Sequence, residues 1–137
     1  MEHHTNYFSA VIAGIGAILS WFLGDFDGSI KVLVILVCID FVMGVIRAGF
    51  KSELSSSVGF KGIAKKATIF ALVGIAHVIS KEFFGDKPMF RELVIYFYTA
   101  NEGFSIIENA HELGVPIPKV IANLFKEIKE KSGEEAA

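Results

Sequence analysis

Ile30 to Ile46 reads IKVLVILVCIDFVMGVI. Seventeen residues hold one cation at the start, Lys31, and one acid past the middle, Asp40. An apolar run of that length is at the lower limit for crossing a hydrocarbon core of about 30 Å. Such a run predicts a membrane-spanning helix. Upstream, Phe8 to Gly24 (FSAVIAGIGAILSWFLG) is a second run of the same length with no charge. The turn Asp25-Phe26-Asp27-Gly28-Ser29 separates the two.

Working outward in the other direction, Arg47 to Lys66 is a polar island, and Ala67 to Ser80 is a third apolar run that extends back to Ile63. Lys81 to Glu92 is a mixed-charge loop, and Leu93 to Ile107 is a fourth run, broken by Glu102. Val115-Pro116-Ile117-Pro118 ends any helix, because a residue before proline is pushed out of the helical region. The expected fold is therefore all-α: a multi-pass helical membrane protein of one domain, residues 1–137. Four spans are expected near 8–24, 30–47, 63–80 and 90–108, with a short amphipathic helix over 117–131. Three spans, with the polar fourth segment lying at the interface, is the alternative.

Composition agrees. The 137 residues are 53% hydrophobic and 20% charged, against roughly 45–50% and 25% in an ordinary soluble domain. Mean hydropathy is +0.53. Thirteen Lys+Arg against fifteen Asp+Glu give a net charge of −2, which offers no basic field to a nucleic acid. The single Cys38 excludes an internal disulfide and a multi-cysteine zinc site, and it reads as a small packing residue. The first run has no basic segment before it, since the first Lys or Arg is Lys31. It therefore reads as a retained helix, not as a secretion signal. His3 and His4 read as exposed terminal residues. No catalytic motif, metal set or cofactor loop is present, so the expectation is a non-enzyme with no cofactor.

Cations gather between the second and third runs: Arg47, Lys51, Lys61, Lys65 and Lys66, against Glu53 alone. Cytoplasmic loops carry such an excess. This island is expected inside, the Asp25–Ser29 turn outside, and both termini in the cytoplasm.

Three features carry possible function. Asp40 at the centre of an apolar helix is disfavoured in lipid by roughly 2.5–3.5 kcal/mol. It is expected to face water or a neighbouring subunit, or else to pair locally beside Arg47. The fourth run carries a polar stripe, with Asn101, Ser105, Glu108, Asn109 and Glu112 on one helical face and Tyr98 and Glu102 along its edge. That stripe suits a lumen or a subunit contact, or an interfacial helix. Ser9, Ala13, Gly16 and Ser20 form a small-residue seam on the first run, which suits close helix packing within or between chains. His77 reads as a boundary histidine. Val120, Ile121, Leu124, Phe125 and Ile128 line one face of the tail.

Three blocks together resemble the toxin-secretion/phage-lysis holins. They are Ile39-Asp40-Phe41-Val42-Met43-Gly44, then Ser55 to Lys66 (SSSVGFKGIAKK), then Ala100 to Asn109 (ANEGFSIIEN) followed by Gly114-Val115-Pro116-Ile117-Pro118. Order and spacing match over about residues 30 to 125. The resemblance implies a phage-type protein that forms homo-oligomers in the lipid bilayer of the bacterial cytoplasmic membrane. There it opens holes that let an endolysin, or an exported toxin, cross. It assigns no role to Asp40 or to the Asn101–Asn109 block. The chain departs from many holins in having no second methionine before Met43 and in its acidic end, Glu134-Glu135-Ala136-Ala137. Both bear on the control of timing. A small ion channel or proton-coupled transporter using Asp40, His77 and Glu102 is one alternative, and an antiholin-like regulator is another.

Overall fold

The computed structural model describes the backbone of residues 2–136 and the side chains of residues 6–133. His3, His4 and the Glu134–Ala137 end lie outside the described side chains. Five helices follow in order: α1 (Glu2–Leu23), α2 (Gly28–Phe50), α3 (Ser56–Phe84), α4 (Met89–Glu112) and α5 (Lys119–Ala136). The described residues contain no strand. α1, α2 and α3 are each long and apolar enough to cross a membrane.

The turn chemistry explains the boundaries. Asp27 caps α2 by accepting the Ile30 N–H at 3.2 Å, and Ser55 caps α3 by accepting the Val58 N–H at 3.2 Å. Each satisfies a backbone donor that a helix start leaves orphaned. α4 closes with a glycine in the left-handed region, Gly114 at φ +79°, and the Val115 N–H returns to the Ala110 carbonyl at 2.9 Å. That is a Schellman closure, and the two prolines follow it.

The boundaries differ from the sequence expectation in one way that matters. The Arg47–Lys66 island is a loop only between Phe50 and Ser56. Its second half already belongs to α3, which starts seven residues earlier than the apolar run suggests. Ser55 is a strong cap, and Gly59 and Gly62 do not break a helix that tertiary contacts hold. Lys61, Lys65 and Lys66 are therefore helical, and 29 residues at 1.5 Å each make α3 about 43 Å long.

α4 is the hub. It packs along α2 on one side, along α5 on another and against α3, while α1 packs along α3 and meets α4 through its last residue, Leu23, and α5 packs only on α4. α2 and α4 run parallel: Ser29 reaches Glu92 near their first turns, and Arg47 reaches Glu112 near their last. The core is a single layer in which Ile30, Leu33 and Val37 of α2 meet Ile69 and Val73 of α3 and Ile95 of α4. On each helix these positions recur every three or four residues, which puts them on one face.

α1 is held only at its end. Phe22 lies on Gly74 of α3, where any Cβ would overlap the ring. Residues 6–21 are exposed. The seam Ser9, Ala13, Gly16 and Ser20 thus lies on an uncovered helix, and nothing stands within 4 Å of a Cβ built at Gly16. Cys38 is exposed on α2, not packed as the sequence suggested, because it falls opposite the Leu33–Val37–Asp40 face.

Candidate functional site

Asp40 continues the buried face of α2, three residues after Val37, and is 7% exposed. Lys66 continues the buried face of α3, three residues before Ile69. Glu102 lies on the inner face of α4 and is 3% exposed. The three converge. The Lys66 ammonium donates to Asp40 Oδ2 and to Glu102 Oε2, and Asn109 Nδ2 donates to Asp40 Oδ1 at 3.1 Å. Two carboxylates share one ammonium, so the fully ionised triad carries a formal charge of −1.

This cluster sits at mid-height. Asp40 is ten residues from the end of α2 and Lys66 ten residues from the start of α3, each about 15 Å from the α2–α3 turn. Charges so far from water are tolerated only when paired and hydrogen-bonded. Each carboxylate alone would be strongly disfavoured there. Together with Lys66 they join three helices, which no single apolar contact in the bundle does.

The remaining polar residues of α4 fall around the triad. Ser105 and Glu108 line a cleft of about 220 Å³ that opens toward the α2–α3 turn, with Asp40, Lys66 and Asn109 in its wall and Arg47 and Lys65 also lining it. Gly44, Gly59 and Gly62 line it as well. Asn101 is half-buried. Glu112 is paired by Lys51 and by Arg47, the latter at 3.3 Å. The hydrogen bond from Lys51 leads in holding the Glu112 carboxyl below its usual range. Lys61 is exposed. The polar stripe is therefore the seam by which α4 meets the polar residues of α2 and α3.

A second ionic cluster closes the other end of the bundle, centred on Arg91 in the first turn of α4. Arg91 is 2% exposed. It donates to the Leu23 carbonyl at 2.7 Å, the Asp25 carbonyl at 2.7 Å, Asp27 Oδ2 at 2.9 Å and Glu92 Oε1 at 2.8 Å. Ser80 of α3 accepts the N–H groups of Phe90 and Arg91 at 3.1 and 3.2 Å, so it caps α4 from a neighbouring helix. Gly24, at φ +82°, passes so close that a Cβ there would stand 2.8 Å from Arg91 Nε and from His77 Nδ1. Burial alone would raise the Asp27 carboxyl. The Ile30 N–H, the Ser29 hydroxyl and Arg91 together hold it below its usual range. A cavity of about 240 Å³ lies here, lined by Asp25, Asp27, His77, Lys81, Asp86 and Lys87 among others.

Both clusters have a sequence signal. Lys66, Ile69, Val73 and Ser80 follow one helical stripe, as do Arg91, Ile95, Thr99 and Glu102. Among the described residues no group of three or more His, Cys, Asp or Glu is arranged to hold a metal ion.

A sequence profile of the Bacteriophage holin family matches residues 17–130. An uncharacterized protein of Listeria monocytogenes is 44% identical over 124 residues, covering 90% of this chain and 88% of its own. An uncharacterized 14.9 kDa protein from the nagH 3′ region of Clostridium perfringens is 35% identical over 131 residues, covering 96% of this chain and 99% of its own. A probable holin of Bacillus phage phi105 is 34% identical over 94 residues, 69% of each chain. No solved structure matches.

Proposed function

Because the chain belongs to the bacteriophage holin family, we propose that it oligomerises in the bacterial cytoplasmic membrane and opens holes through which an endolysin, or an exported toxin, passes. The observation that carries this reading is the family match, which runs across α2, α3, α4 and the Asp40–Lys66–Glu102 triad.

In this reading α4 is the fourth span. It is the most polar of the four because α2, α3 and α5 pack around it, so its buried carboxylate Glu102 meets protein and not lipid. The Arg47–Lys66 segment faces the cytoplasm, as its cations favour, and the Arg91 cluster faces out. Four helices of this size enclose no wide channel. A hole therefore requires many copies, joined through exposed surfaces such as the Ser9/Ala13/Gly16/Ser20 seam. Asp40, Glu102 and Asn109 hold each copy together in the shape that assembles, and Asn101, Ser105 and Glu108 lie on α4 closer to water.

The test is inducible expression in a bacterium with and without an endolysin, following turbidity and membrane potential. A holin collapses the potential at a set time and clears the culture only when endolysin is present. Steady growth with an intact potential would refute the reading.

A further inference from the structure

Two surfaces of this molecule are incompatible with the same solvent. α1, α2 and α3 present Val11, Ile15, Val32, Ile35, Val42 and Ile75 outward. Beyond its first turns, which expose Val120, Ile121 and Leu124, α5 presents Lys126, Glu127, Lys129, Glu130 and Lys131, all exposed. α5 touches α4 alone, so it lies on the side of α4 away from α2 and α3. α4 is a partition between an apolar side and a charged side.

The depth of α5 turns that asymmetry into a constraint. After the Gly114–Pro118 turn the chain runs back along α4. Phe125 lies on Gly103, where a Cβ would stand 2.6 Å from its Cγ. Its ring also meets Phe104, with centroids 6.4 Å apart. Lys129 Nζ stands 5.9 Å from the Phe104 ring centroid, and Ser132 is buried. Gly103 is about 14 Å from the inner end of α4 and adjoins Glu102 of the mid-height triad. Residues 126–131 therefore lie at the depth of the centre of α2, the most apolar helix of the three candidate spans. Five charged side chains at that depth cannot face hydrocarbon.

We propose that the docked α4–α5 hairpin is the water-facing wall of the assembled hole. The exposed charges of α5 line the lumen, and the apolar faces of α1–α3 turn to lipid. This rests on the holin reading above and adds to it the surface that lines the hole. Phe125 on Gly103 is the latch that keeps α5 in place, and it stays closed while the hole is open.

A disulfide tests the latch. A Cβ at Gly103 would stand 2.6 Å from Phe125 Cγ, so the two Cβ positions are no more than about 4 Å apart, within reach of the roughly 3.5–4.5 Å that a disulfide takes. Purified Cys38→Ser/Gly103→Cys/Phe125→Cys protein is reconstituted into vesicles loaded with a fluorescent dextran, then oxidised or reduced. The expected result is a cross-link that forms in the membrane and leaves dextran release within about twofold of the reduced protein, because the wall is already docked. An absent cross-link, or one that blocks release until reductant is added, overturns the proposal: α5 would then lie elsewhere in the open state. Loss of the Phe125 ring is bypassed by Cys38→Ser/Glu130→Cys labelled with a maleimide-linked polymer. A lumen-facing polymer reduces release at least about threefold by narrowing the passage, and unchanged release overturns the proposal. Wild-type vesicles that retain their dextran would instead sink the holin reading beneath it.

Discussion

Replacing Lys66 by methionine removes the one cation that two buried carboxylates share. Methionine keeps most of the aliphatic stem, so the packing against Ile69 changes little. What changes is the charge. Asp40 and Glu102, 7% and 3% exposed, would be left facing each other with no ammonium between them. Breaking a buried ion pair by removing one partner destabilises by about 3–5 kcal/mol. That lowers the folded-to-unfolded ratio by roughly two to three and a half orders of magnitude. It is a large part of the roughly 5–15 kcal/mol that holds a domain folded. Asp40→Asn alone should cost less, about 1–2 kcal/mol, because Lys66 and Glu102 remain a pair. Asp40→Asn/Lys66→Met/Glu102→Gln should regain most of the loss, since no unpaired charge remains. The assay is loss of helical signal in detergent titrated with a denaturing surfactant, followed for all four proteins. If Lys66→Met unfolds within about 0.5 kcal/mol of wild type, or if the triple variant is worse than the single one, the triad does not hold the bundle.

Three further outcomes are expected. Gly16→Leu should lower the oligomer size seen on cross-linking while leaving the monomer's stability unchanged, because nothing within the chain stands near that position; an unchanged oligomer would remove α1 from the subunit contact. The Asp27 carboxyl sits below its ordinary value, so its link to Arg91 is fully present above about pH 4 and is lost as pH falls through the lowered value. Asp27→Asn should therefore flatten the acid limb of the stability curve, and an identical limb in both proteins would contradict this. In a Cys38→Ser background, Asp86→Cys should react with an impermeant thiol reagent applied outside and Ser55→Cys should not; labelling at 55 would invert the topology.

The apolar helices were legible because lipid demands long runs without charge, and α1, α2 and α3 satisfy that demand residue by residue. Asp40 and Glu102 stood out for the same reason, as violations. Their partner did not. Lys66 lies in a segment rich in cations, and a positive island between two apolar runs reads as a loop. The expected third span, 63–80, already holds Lys66, and nothing local separates it from Lys65 beside it; its inward turn follows from the Ile69–Val73 face that it continues. Arg91 lies where the loop of balanced charge meets the expected 90–108 span, and its neighbours' opposite charges mask its inward face, although Ile95 and Thr99 repeat it. The amphipathic α5 was visible from Val120, Leu124 and Phe125, but its docking place was not. That depends on Gly103 being bare enough to receive a phenyl ring, a long-range fit that no local period records. The side-chain order of the triad likewise depends on the parallel run of α2 and α4, which is a property of the assembled bundle.

The proposed function requires many copies of this chain to open a passage wide enough for a folded protein. The most direct measurement is release of a folded enzyme and of a small ion from the same vesicles after the purified protein is added at rising density. For a holin, both should escape together, steeply, above a threshold density. Escape of the ion alone, in proportion to the number of copies and with the enzyme retained at every density, would contradict it and identify a narrow channel instead.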